Sequence, residues 1–212
     1  MSIILVVSVH PDDETLGCGG SLLKHIKSDD HVHCLYVTRG NEHQSAVIST
    51  LDAKYLFAKS YSLDIPELTL DDISLNEIIP KITEVINKVK PEILYIPNRS
   101  DANSDHRRVF EALIACTKTF RFQFIRKILM YEVISETEFA PALNENAFIP
   151  NVFIDISEFF EKKLEIMGCF ESELMAANLP RSYNAIKALC AYRGSRIGVD
   201  FAEAFMLLFE RS

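Results

Sequence analysis

The chain has 212 residues, 48% of them hydrophobic and 25% charged, with a formal net charge of −8. That is enough apolar content for one well-buried core and calls for no second, so residues 1–212 are expected to form a single domain. The acidic balance offers no general attraction to nucleic acid; five cysteines without Cys-x-x-Cys spacing exclude a disulfide framework or zinc ribbon; and no stretch approaches the roughly 20 apolar residues of a transmembrane segment, so a cytoplasmic protein is expected.

In chain order, Ile3–Val9 is a short β-branched run that reads as a buried strand. Ser21–Ser28 follows as a helix, His31–Thr38 as a strand and Ala46–Tyr61 as helical, with a short strand expected near Glu67–Leu70. Leu75–Val89 has helical periodicity, with Pro80 near its first turn or at a bend. Glu92–Pro97 is the next strand, Asp105–Thr119 its helix with Ser104 as a good N-cap, and Lys127–Val133 a further strand. Downstream, Val152–Ile156 suits a strand, Glu158–Met175 and Pro180–Arg193 suit helices, and Ala202–Phe209 suits either. Strands alternating with helices indicate an α/β fold built on a doubly wound, mostly parallel sheet. Phe120, Phe122 and Phe124 are expected in the core or at a partner interface, and Cys18 as a small core-filling thiol.

Chemistry concentrates beyond two strand ends, where ligands sit in open α/β sheets. His10-Pro11-Asp12-Asp13-Glu14 follows the first strand. An imidazole and a carboxylate three residues apart supply two Zn²⁺ ligands, and the carboxylate between them is free to act on water. Read alone, the same residues suit a solvated turn whose acids cap the next helix. Ser104-Asp105-His106-Arg107-Arg108 follows the middle strand. If both strands lie parallel in one sheet, His10, Asp13 and His106 converge at one edge as a three-ligand site with an open position. Arg39, at the end of the second strand, is expected to face the same crevice, and Arg99, Arg107, Arg108, Arg181, Arg193 and Arg196 are further candidates to bind a phosphate or carboxylate. Gly17-x-Gly19 between strand and helix also suggests a dinucleotide site, but the third glycine is absent and six residues intervene where the fingerprint needs a tight turn.

The pairing of His10-Pro11-Asp12-Asp13-Glu14 with Ser104-Asp105-His106-Arg107 resembles the LmbE-like/PIG-L family of zinc-dependent de-N-acetylases. Gly17-Cys18-Gly19-Gly20, Val37-Thr38-Arg39-Gly40-Asn41-Glu42, Tyr131-Glu132, Pro150–Ile156 and Ala202-Glu203-Ala204-Phe205 extend the likeness over nearly the whole chain. The resemblance implies a Rossmann-like three-layer domain that removes an N-acyl group, usually acetyl, from an amino sugar or its conjugate. It also implies Zn²⁺ on His10, Asp13 and His106 and a general base at Asp12. Beside that implication, Arg39, Arg99 and Asp105 are expected to bind substrate, and Glu14 to orient a ligand or cap the next turn. The expected partner is thus a small-molecule amino-sugar conjugate, and a homo-oligomer is compatible with the sequence.

One position departs from the family pattern. The family commonly has a histidine three residues before its last metal ligand, where this chain has Asn103. An amide can donate a hydrogen bond to an oxyanion but cannot transfer a proton at neutral pH. Asn103 is therefore assigned to polarising the acyl oxygen, with a turn before the Ser104 cap as the competing role, and the proton for the departing amine is expected from Asp12 after it has taken one from water, or from another group. A sugar- or partner-binding descendant without catalysis is the alternative function.

Overall fold

The computed structural model describes residues 1–55 and 57–212. Its elements are β1 (Ile3–Ser8), α1 (Asp13–Lys27), β2 (His31–Thr38), α2 (Glu42–Tyr55), β3 (Lys59–Ile65), α3 (Leu75–Val89), β4 (Ile93–Pro97), α4 (Ser104–Cys116), β5 (Lys127–Tyr131), β6 (Val152–Asp155), α5 (Phe160–Met167), α6 (Tyr183–Ser195) and β7 (Ala202–Glu210). Seven strands form one sheet in the order β3-β2-β1-β4-β5-β7-β6. The first five of that order pair in parallel, while β7 runs antiparallel to both β5 and β6. The chain reverses its direction of growth between β1 and β4, so the loops after these two strands flank one crevice.

Alternation along the strands builds a core on each face. Ile4 and Val6 of β1 join residues of α1, α2, α5 and α6 on one side. Leu5, Val7 and Val9 join α3 and α4 on the other. The result is the expected three-layer α/β architecture, and among the described residues no helix is long and apolar enough to cross a membrane.

The differences from the sequence expectations have local causes. Helix α1 begins at Asp13, not Ser21, and is kinked at Cys18. The Glu203 carboxylate accepts from the backbone N–H groups of Gly20 (2.9 Å) and Ser21 (2.8 Å), capping the half-helix beyond the kink. The expected strand at Glu67–Leu70 is a loop, because the N–H groups of Leu68 (2.6 Å) and Leu70 (3.2 Å) donate to the Asp105 carboxylate instead of to a sheet. The third strand lies earlier, at Lys59–Ile65, where Tyr61, Leu63 and Ile65 alternate toward the core. The expected helix Ala46–Tyr61 accordingly stops at Tyr55, and its position 56 lies outside the described residues. The helix expected from Glu158 to Met175 is only Phe160–Met167, and α6 starts at Tyr183, where the Ser182 hydroxyl accepts from Ala185 N–H at 3.2 Å. Pro80 sits inside α3, past its first turn. Phe122 and Phe124 pack into the core, whereas Phe120 is exposed.

The glycines after the first motif serve packing. A Cβ on Gly17 would come within 2.3 Å of the Tyr131 ring, so the dinucleotide reading fails: the close approach is to protein. Glu203 also pairs with the fully buried Lys163 at 2.7 Å, whose ammonium donates in addition to Leu16 O at 2.9 Å. Glu203→Ala is expected to lower stability by about 3–5 kcal/mol in urea unfolding, because it leaves a buried ammonium without its partner and two amides uncapped. A loss below about 1 kcal/mol would mean that water reaches Lys163.

Candidate metal and catalytic site

The two sequence motifs meet at the switch point. His10 and Asp12 occupy the loop leaving β1, Asp13 begins α1, and His106 lies in the first turn of α4 beyond β4. Asp13 is buried with an oxygen 3.3 Å from His106 Nε2 and 3.6 Å from His10 Nδ1, and the two histidine nitrogens are 3.3 Å apart. Ligands at zinc distances of 2.0–2.1 Å in a tetrahedron are about 3.3–3.4 Å from one another. The triad thus presents one face of a tetrahedron, and its donor set of two imidazoles and a carboxylate suits zinc.

Each imidazole is held from behind by a carboxylate. His10 Nε2 lies 3.2 Å from Asp105 Oδ2, and His106 Nδ1 lies 2.8 Å from Asp101 Oδ2. Such contacts fix ring orientation and direct the opposite nitrogen toward a metal. Asp105 is itself pinned by Leu68 and Leu70, and Asp101 accepts from Asn98 Nδ2 (2.7 Å) and Thr137 Oγ1 (2.6 Å). The folded loop after β3 therefore supports His10 through Asp105.

These carboxylates set the charge of the imidazoles. Burial pulls the His10 pKa down, but hydrogen bonds to Asp105 and Asp13 outweigh it and raise it to about 9. His106 is likewise raised, against burial, by Asp13 and Asp101. Asp13 is held far below the ordinary carboxylate range, its own burial overcome by His106 and His10. The two nitrogens that face each other across the triad, His106 Nε2 and His10 Nδ1, are 3.3 Å apart and have room for one proton between them, which an entering cation must displace. Calorimetric zinc titration at pH 7.5, in buffers of different ionisation heat, is expected to show close to one proton released per ion. Affinity is expected to fall by about tenfold per pH unit as pH drops; release of no protons would contradict this charge state.

Asp12 stands apart from the triad. Its backbone has φ 146°, a region that L-residues rarely adopt, and its Oδ2 is buried without a hydrogen-bond partner. Burial, reinforced by the charges of Asp13 and Glu14, pushes its carboxyl well above the ordinary range, while His10 and Arg181 oppose the shift. Arg181 Nη1 is 3.8 Å from that oxygen and 3.1 Å from Glu173 Oε2. Glu14 is buried beside it, accepting from Ser8 Oγ (2.8 Å), Thr15 Oγ1 (2.7 Å) and Asp12 N–H (3.2 Å). Burial lifts its pKa to about 7. It shapes the loop that presents Asp12.

A cavity of about 240 Å³ opens onto the triad and is lined by Asp12, Leu16, Gln44, Glu67, Leu68, Asn103, Val133, Ser135, Glu136, Glu173 and Arg181. Asn103, not Ser104, is the N-cap of α4, its Oδ1 accepting from Asp105 N–H at 2.9 Å. Its side-chain amide NH₂ remains available as a donor. Asp105 sits behind His10 and not on the cavity wall. Arg39 is exposed in a neighbouring depression that shares Glu67 with the cavity, and Arg99 turns to Glu145 O. Arg107 donates to Asp101 O, Arg108 to Ile73 O, and Arg193 pairs with Glu132 at 2.7 Å. Of the candidate arginines, Arg181 alone lines the cavity. Glu136, Glu173 and Asp101 were not singled out from sequence; only the rule that a metal-bound imidazole has a carboxylate behind it points toward Asp101.

Known proteins resemble this one in both sequence and fold. The family model for PIG-L, GlcNAc-PI de-N-acetylase, matches residues 5–117. The uncharacterized deacetylase YaiS of Escherichia coli K12 is 26% identical over 173 residues, covering 76% of this chain and 86% of that protein. The structure of N,N'-diacetylchitobiose deacetylase from Pyrococcus horikoshii superposes with a TM-score of 0.74 at 19% identity, covering 97% of this chain and 83% of the other. That of the 4-carboxy-2-hydroxymuconate hydratase GalB from Pseudomonas putida KT2440 gives a TM-score of 0.71 at 18% identity, covering 100% and 98%. At such identities the two structures establish a shared fold, which hosts two different reactions.

Proposed function

The chain belongs to the PIG-L family of deacetylases, and on that premise we propose that it is a zinc-dependent hydrolase that removes the N-acetyl group from an amino sugar or its conjugate. The observation that carries the reading is the tetrahedral spacing of His10 Nδ1, Asp13 Oδ2 and His106 Nε2 beside the unpartnered oxygen of Asp12. Zn²⁺ held by these three residues would supply Lewis acidity for the acyl carbonyl and for water. Asp12 is the general base, taking the water proton on the oxygen that no protein group occupies. Asp105 and Asp101 keep the two imidazoles in register. Asn103 offers its amide NH₂ to the acyl oxygen as negative charge develops there. Arg181 holds Glu173 at the cavity wall and faces Asp12. Arg39, in the adjoining depression, lies where the far end of a conjugate would extend.

The reading is tested by incubating the zinc-loaded protein with free, nucleotide-linked and lipid-linked N-acetylhexosamines and measuring released amine. Release from at least one class is expected. No release from any, with sugar binding retained, would support the non-catalytic descendant instead.

Asn103 gives a sharper check. Asn103→Ala is expected to lower turnover by about ten- to a thousandfold, the scale of losing an oxyanion donor. It also costs about 1 kcal/mol of stability by uncapping α4. Asn103→Asp keeps the cap but replaces the donor with an anion, so its stability should stay near wild type while turnover falls at least as far. Unchanged turnover in both variants at equal zinc content would reduce Asn103 to a cap.

A further inference from the structure

Cleavage of an amide requires a proton on the departing nitrogen, because a free amide anion is far too basic a leaving group. Asn103 cannot give one. The titratable groups on the cavity wall outside the metal triad are Asp12, Glu67, Glu136, Glu173 and Arg181. Arg181 and Glu173 are paired with each other at 3.1 Å, and Glu173 also accepts from Asn41 Nδ2 at 3.0 Å. Glu67 lies where the cavity meets the neighbouring depression, and among the described residues its carboxylate makes no hydrogen bond to the loop that follows β4. Glu136, by contrast, is fixed against that loop. Its Oε2 accepts from Asn103 N–H at 3.0 Å, its carbonyl accepts from Ala102 N–H at 3.1 Å, and the next residue, Thr137, donates to Asp101 at 2.6 Å. The sheet order puts Asp12 beyond β1 and Glu136 beyond β5, on opposite sides of the β4 loop that carries Asn103 and His106.

Building on the deacetylase reading, we propose that Glu136 is a catalytic residue of this chain, the acid that protonates the departing amine. Water forms a bond to the acyl carbon and gives a proton to Asp12. The C–N bond of the tetrahedral adduct then breaks, its electron pair staying on nitrogen, which takes the Glu136 proton. The carboxylic acid product returns its proton to Glu136, and Asp12 gives its own to the amine, so amide and water become carboxylate and ammonium with both side chains restored. Burial raises the Glu136 pKa above the ordinary glutamate range. Asp13 and Asp101 add to that, while His106 and the Asn103 N–H oppose it.

Glu136→Gln separates proton donation from scaffolding, since its amide oxygen still accepts from Asn103 N–H. Two probes are compared on the zinc-loaded protein: N-acetylglucosamine, free and nucleotide-linked, whose amine must be protonated, and p-nitrophenyl acetate, whose phenolate leaves unaided. The variant is expected to lose about a hundredfold or more on the amide and to stay within about threefold on the ester, with zinc content and melting temperature unchanged. In the zinc-free protein, ¹³C NMR of labelled glutamate should show a carboxyl that titrates above the ordinary range and is absent from the variant. Equal amide rates in wild type and variant, equal losses on both probes, or a Glu136 carboxyl that titrates at the ordinary value would each overturn the assignment while leaving the deacetylase reading in place. A wild type that releases no amine would instead remove that reading, and this one with it.

Discussion

Alanine in place of His106 is expected to take the zinc content from near one ion per chain to below about a tenth, and turnover with it. His106 Nε2 contacts both other ligand atoms at 3.3 Å, so its removal leaves two ligands that cannot enclose an ion. His10→Ala and Asp13→Ala should behave alike, because each deletes one corner of the same triangle. Asp101→Asn makes the instructive contrast. It keeps all three ligands but replaces the carboxylate behind His106 with an amide, and should weaken zinc affinity by roughly 10–100-fold without abolishing it. Elemental analysis after dialysis against a competing chelator reads both effects. Full zinc occupancy in His106→Ala would sink the assignment.

The triad could be read from sequence because its chemistry is local to two strand ends. A β-branched run followed by His10 and Asp13, and a second run followed by His106, already place three ligands at one edge once the strands are parallel neighbours, and β1 and β4 pair in register from Ile4 with Ile93. What escaped was set by long-range contacts that carry no periodic signal. Asp101 looks like one more polar loop residue, and Asp105 like a substrate-binding one, until their histidine partners are in space. The half-helix of α1 beyond the kink at Cys18 is capped by Glu203, more than 180 residues away. Arg39 was expected in the crevice because strand ends point there, but Gly40, at φ 65°, turns the chain just after it and leaves it exposed. Arg181 is one of several candidate arginines in the sequence, and lying in an irregular segment before α6 it has no strand end to set it above the others.

The Asp12 position couples stability to activity. Asp12→Asn preserves size but removes basicity, and is expected to lower turnover by about a hundredfold or more with zinc retained. Asp12→Gly should be equally inactive but more stable. Its φ of 146° carries strain of about 1–3 kcal/mol in a residue with a Cβ, and it buries a carboxylate oxygen that no protein group satisfies. Glycine removes both penalties and adds back about 1 kcal/mol through the greater freedom of its unfolded chain. The zinc-free Gly variant should therefore melt a few degrees above wild type. The raised Asp12 carboxyl also responds to the metal: a cation on the neighbouring triad would draw its pKa back down and favour the ionised base. If Asp12→Asn retained turnover within a few-fold at full zinc occupancy, the base would lie elsewhere, and the strain at Asp12 would have to be explained by the fold alone.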